Sequence, residues 1–125
     1  STLKSFFNNV EKHKKIFRDL LLNLKDMKKK VIGYGASTKG NIILQYCNIN
    51  SSLVPYIGEV NQFKYNRYTP GSKIKIISEK KARDLNPDYL LVLPWHFKNF
   101  IIHKEKKILK KNTKLIFPLP DIDII

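Results

Sequence analysis

Apolar residues recur every three or four positions through the first part of the chain: Leu3, Phe6, Phe7, Val10, Phe17, Leu20, Leu21 and Leu24. That spacing predicts an amphipathic helix from about Lys4 to Met27. Lys25, Lys28, Lys29 and Lys30 follow at its end, where the helix dipole favours cations. The pattern then changes to short apolar runs divided by glycine, proline and polar clusters. Val31–Gly33 predicts a first strand, and Thr38–Tyr46 a helix capped by Ser37 or Thr38. Leu53–Glu59 predicts a second strand, with Pro55 near its start. A polar and aromatic connection, 61–71, ends in Pro70-Gly71, which suits the centre of a type II turn. Ile74–Ile77 is a short third strand, and Ser78 caps a short helix that Pro87 stops from continuing. Tyr89–Leu93 is a continuous apolar run of the kind buried on both faces of a sheet. A helix is expected from Trp95 or His96 to Lys110. Leu115–Phe117 is the fifth strand, and Pro118 and Pro120 break regular structure after it.

Strands alternating with helices predict an α/β fold: a Rossmann-like three-layer α/β/α sandwich with a mostly parallel sheet of about five strands, preceded by a long N-terminal helix. The 125 residues suit one domain, with a helical segment (1–30) leading into an α/β core (31–125). Neither an internal repeat nor a linker divides it.

Composition narrows the setting. No apolar run approaches the ~20 residues that cross a bilayer, and Ser1–Val10 lacks the features of a secretory leader. The lone cysteine, Cys47, excludes an internal disulfide. A cytoplasmic location with no membrane partner is expected. The net charge of +14 raises nucleic acid as a partner, yet 21 of the 24 basic residues are lysines. Arginine is the better reader of phosphates and base edges. With 16 isoleucines and 11 asparagines beside them, the lysines read as compositional bias and a solvated coat. A basic nucleic-acid module stays a secondary alternative.

Ligands of open parallel sheets bind at the carboxyl ends of the strands. Three segments qualify: the loop Gly33-Tyr34-Gly35-Ala36-Ser37-Thr38-Lys39-Gly40-Asn41, Glu59 with the residues after it, and Pro94-Trp95-His96-Phe97-Lys98. The first reads as strand, tight glycine turn and helix start, where exposed amides at a positive dipole end seat a phosphate. Lys39 adds a full charge. Gly33-x-Gly35 opens like a dinucleotide fingerprint, but Thr38 holds the third glycine position. Glu59 stands where an acidic residue would hold ribose hydroxyls, so a nicotinamide-binding oxidoreductase domain is an alternative. Lys39 is followed by glycine, against the Walker spacing. His13, His96 and His103 have no partners at metal-ligand spacing. Cys47 reads as a core residue, and no nucleophile, base and orienter come together.

The loop Gly33–Asn41 with Tyr46-Cys47 resembles the C-terminal domain of sugar C-methyltransferases. So do Asn61, Lys64, Arg67-Tyr68-x-Pro70-Gly71, Pro87-Asp88-Tyr89, Leu93-Pro94-Trp95-x-Phe97-Lys98 and Phe117-Pro118-x-Pro120. Gln62 replaces an expected proline, Asn48 a frequent glycine, His96 a common asparagine, and Glu59 an aspartate. The resemblance implies a substrate-binding, Rossmann-like domain of an S-adenosylmethionine-dependent enzyme that methylates C3 of a nucleotide-linked 4-keto deoxysugar. It implies a methyl-donor domain in the same polypeptide as partner. S-adenosylmethionine and structural zinc would belong to those other domains, with no cofactor and no catalytic residue on this one. The substrate-binding candidates are Gly33, Tyr34, Gly35, Ala36, Ser37, Thr38, Lys39, Gly40 and Asn41, then Glu59, Lys64, Arg67, Tyr68, Trp95, His96 and Lys98. Lys64, Arg67, Tyr68, Trp95 and Lys98 are expected to border the same cleft as the glycine turn.

Overall fold

The computed structural model describes residues 2–125. Helix α1 (Thr2–Asp26) is followed by β1 (Val31–Tyr34), α2 (Thr38–Tyr46), β2 (Tyr56–Glu59) and β3 (Lys75–Ser78). Then come α3 (Glu79–Asp84), β4 (Tyr89–Val92), α4 (Lys98–Lys104), α5 (Lys106–Lys110), β5 (Lys114–Phe117) and β6 (Asp123–Ile124). The six strands form one sheet in the order β3-β2-β1-β4-β5-β6. All neighbours are parallel except β5 and β6. The strand order reverses between β1 and β4, so the crevice for a ligand opens above that pair.

Successive strand residues point to opposite faces, and the sequence supplies apolar side chains for both. On one face Val31, Ile57, Leu91 and Ile116 pack with Phe17, Leu21 and Leu24 of α1 and Leu44 of α2. Full burial of Phe17 or Leu21 is worth about 1.5–3 kcal/mol each. On the other face Ile32, Leu90, Val92, Leu115 and Phe117 pack with Ala82 of α3 and Ile101 of α4, backed by Ile108 and Leu109 of α5. These are the three layers.

Four local departures from the sequence reading have physical causes. Strand β2 begins at Tyr56, because Leu53 and Val54 close a turn on the carbonyl of Asn50 and bury themselves under α1 and α2. The expected 95–110 helix is a 3-10 turn (Trp95–Phe97) followed by two helices that break at Glu105. Glu105 is buried against Arg83, which a straight helix need not allow. A sixth strand follows the prolines and pairs antiparallel with β5. The Pro70-Gly71 turn has Gly71 at φ +72 as expected, but Lys73 N donates to Thr69 O, one residue beyond a type II closure.

Asn48 occupies the left-handed region at φ +54, which asparagine tolerates better than most residues. Ile49 N donates back to Leu44 O at 2.8 Å, ending α2. Arg18 donates to the carbonyls of Cys47 and Asn48, fastening α1 to that end. His13 Nε2 lies 2.6 Å from the Pro118 carbonyl oxygen.

Candidate functional site

Strand β1 delivers the chain to the carboxyl edge, where Gly35 turns it at φ +78. Gly35 N still donates to Gly58 O at 2.8 Å, so the turn begins as the last rung of the β1–β2 ladder. Ser37 caps α2, its hydroxyl accepting Gly40 N at 3.1 Å. The amides of Ser37, Thr38 and Lys39 donate to no group among the described residues. Thr38 and Lys39 are exposed. A Cβ added at Gly40 would lie 2.4 Å from Leu93 Cβ. Helix α2 thus meets the end of β4 at a distance only glycine permits, although Gly40 stands two residues beyond the fingerprint position.

Glu59 is buried at the end of β2. Its Oε1 accepts Ala36 N at 2.9 Å, and its Oε2 accepts Val60 N at 2.9 Å and Asn61 N at 2.8 Å. Lys64 donates to Ala36 O at 2.7 Å and approaches Glu59 to 4.0 Å. The carboxylate is committed to holding two loops together, which accounts for an acid here without a ribose. The Ala36 amide is likewise occupied, so the open part of the turn is Ser37–Lys39.

Below the turn, on the α3/α4 face, lies a cleft of about 480 Å³. Gly33, Tyr34, Gly35, Ala36, Ser37 and Glu59 line it, together with residues the sequence reading did not select: Glu79, Ala82, Arg83, Phe97, Phe100, Ile101 and Lys104. Arg83 Nε donates to Glu79 Oε1 at 3.0 Å, and its Nη2 donates to both oxygens of Glu105 at 2.9 Å. Tyr34 donates to Glu105 Oε1 at 3.3 Å. Burial, then the charges of Glu105 and Glu79, push the Tyr34 phenol well above its ordinary range. Burial works against the Arg83 charge, but hydrogen bonds to Glu79 and Glu105 outweigh it and raise its pKa.

Glu79 and Arg83 stand four apart on the helix that starts at the carboxyl end of β3, an edge equivalent to those of β1, β2 and β4, and that placement is the signal for them in the sequence. Phe97, Phe100, Ile101 and Lys104 recur at helical spacing, a stripe facing the same cleft.

The other candidates do not line the cleft, so the expected grouping of Lys64, Arg67, Tyr68, Trp95 and Lys98 on it is not seen. Asn41 donates to Pro70 O at 3.1 Å and accepts from Ser72 at 2.8 Å. Arg67 and Tyr68 are exposed on a segment beside β3, where Arg67 O accepts Ile76 N at 2.8 Å. Lys98 pairs with Asp123 and lies 5.4 Å from the Phe117 ring centre. His96 is exposed, its ring tilted against Phe97 with ring centres 4.2 Å apart. Trp95 is half-buried, and its indole N–H is buried without an acceptor among the described residues.

Among the described residues no three His, Cys, Asp or Glu side chains are grouped to hold a metal. No helix among them is long and apolar enough to cross a membrane.

Residues 1–120 match the C-methyltransferase C-terminal domain family. The chain is also similar to C-methyltransferase NovU from Streptomyces niveus, with 32% identity over 122 residues. That alignment covers 98% of this chain and 29% of NovU, so the chain spans under a third of the length of this curated relative. The chain belongs to the C-methyltransferase C-terminal domain family.

Proposed function

We propose that this member of the family holds the nucleotide-sugar substrate of an S-adenosylmethionine-dependent C-methyltransferase. The substrate class is an NDP-linked 4-keto deoxysugar. The observation that carries the reading is the open Ser37–Lys39 turn at the switch point between β1 and β4. Three N–H groups without acceptors point from a helix start, and the exposed Lys39 stands among them. A diphosphate satisfies both the amides and the helix dipole. Glu59 and Lys64 keep the turn in shape by binding its backbone.

On this reading the domain contributes position, not bond making. Fixing the diphosphate fixes the direction in which the sugar projects, and orientation of that kind supplies several kcal/mol to a transfer reaction. S-adenosylmethionine supplies the methyl group when bound by a separate domain of the same polypeptide, and structural zinc belongs to that polypeptide's other parts. Leu3, Phe6 and Phe7, each more than half exposed along the start of α1, form the stripe we assign to contact with the methyl-donor domain. We place the protein in the cytosol, where Cys47 stays reduced.

Calorimetric titration with UDP and with thymidine diphosphate tests the reading. Lys39→Ala is expected to weaken binding by about 1.5–3 kcal/mol, the loss of a charge-assisted hydrogen bond. Unchanged affinity, or no binding to the unaltered chain, overturns it.

A further inference from the structure

The cleft between α3 and α4 adjoins the amide turn and shares Gly35, Ala36 and Ser37 with it. Its chemistry differs from that of a phosphate seat. Arg83 is held by Glu79 on one side and by both oxygens of Glu105 on the other. Its guanidinium is therefore already neutralised before any anion arrives. Lys104 is the other cation on the wall, and it is exposed.

The rest of the wall is apolar. Ala82, Leu90, Pro94 and Ile101 form it, and Phe97 and Phe100 stand 56% and 67% exposed. Both bonds from Arg83 to Glu79 end on Oε1, so Oε2 has no donor among the described residues. The cleft thus offers aromatic faces, an apolar floor and one free carboxylate acceptor. An uncharged planar ring with an N–H at its edge satisfies all three. A hydroxyl-rich sugar would press polar groups onto Leu90 and Ile101, which costs free energy without compensating bonds.

Building on the diphosphate reading above, we infer that this cleft takes the nucleobase of the bound nucleotide. Phe97 or Phe100 lies against the base, and Glu79 accepts an N–H from its edge. The phosphates occupy the neighbouring Ser37–Lys39 turn. One ribose separates base from phosphate in any nucleotide, so the two subsites must adjoin. Residues 35–37, common to both, meet that requirement. The cleft of about 480 Å³ falls within the ordinary range for small-molecule sites.

The test uses the isotope-labelled chain and four probes, uridine, thymidine, inorganic pyrophosphate and UDP, followed by amide chemical shifts. The nucleosides are expected to move Tyr34, Ala82 and Ile101, pyrophosphate to move Ser37, Thr38 and Lys39, and UDP to move both sets. Phe100→Ala, at an exposed position, is expected to weaken nucleoside and UDP binding by roughly 5- to 150-fold, the span for base stacking on aromatic residues. It leaves pyrophosphate binding unchanged. Nucleoside shifts that miss the cleft, or UDP affinity indifferent to Phe100→Ala and Phe97→Leu alike, overturn the inference. If UDP still binds with dependence on Lys39 in that case, the diphosphate reading survives and the cleft serves another group, such as a side chain of a partner domain. If UDP does not bind at all, both fall.

Discussion

Glu59 Oε1 accepts the amide of Ala36 at 2.9 Å, across the gap between the first two crossover loops. One buried carboxylate thereby sets the shape of the turn that carries the open amides. Its second oxygen holds Val60 and Asn61, so the loop after β2 is fixed by the same group. The arrangement resembles a hinge pin more than a ligand hand.

Glu59→Gln tests this role. The amide oxygen can take the place of Oε2 and keep the Val60 and Asn61 donors, but the NH₂ group then meets the Ala36 N–H. That donor is left without its acceptor, at a cost of about 1–3 kcal/mol. Urea unfolding is expected to show that loss, and hydrogen exchange at Ala36 is expected to quicken beyond the global change.

Gly40→Ala probes the contact between α2 and β4. The new methyl would lie 2.9 Å from Leu93 Cα, a backbone atom that cannot rotate away. The expected destabilisation is about 1–3 kcal/mol, typical of overpacking. Because the helix start must shift, UDP affinity is expected to fall as well. A variant of native stability and native affinity would show that α2 can slide.

Arg83→Met separates the buried cluster from the cleft. Glu105, only 4% exposed, loses its cation while keeping Tyr34. Removing one partner of a buried pair costs 3–5 kcal/mol; with Arg83 itself 34% exposed, about 2–3 kcal/mol is expected. Arg83→Met combined with Glu105→Leu should recover part of it. A combined variant no more stable than the single one would count against the pairing.

Tyr34→Phe carries a pH signature. The folded phenol titrates above its ordinary value near 10, so the unfolded chain loses that proton first. The stability tied to this group is complete below about pH 10 and declines as pH rises toward the folded value. Between about pH 8 and about pH 11 the unaltered chain is expected to lose more stability than Tyr34→Phe. Chemical denaturation at both values compares the two.

Much of this fold was legible because binary pattern and turn residues agreed. Helix α2 has the expected limits, since Ser37 caps it and Gly40 lets it approach the sheet. The amphipathic run from Lys4 matches α1 to within a turn. The short fifth helix, the break at Glu105 and strand β6 were not legible. Each depends on a distant partner: Arg83 for Glu105, and the exposed edge of β5 for Asp123-Ile124. In the site, the glycine turn announced itself through local geometry. The Glu79–Arg83–Glu105 cluster did not, because its members come from separate elements and look like ordinary surface charges in sequence. Lys98 looked like a ligand group for the same reason, although Asp123, invisible to local reading, claims it.

The margins of the sheet have a consequence for behaviour in crowded solution. Along β3 the segment 66–69 lies antiparallel and takes its free backbone bonds, with Thr69 N donating to Ile74 O and Ile76 N donating to Arg67 O. At the opposite margin β6 adds a rung to β5 and then stops after two residues. A growing fibril needs a long, unpaired rim on which the next molecule can template itself. At β3 the segment 66–69 covers that rim, so this isoleucine-rich sheet is shielded from such templating along that margin.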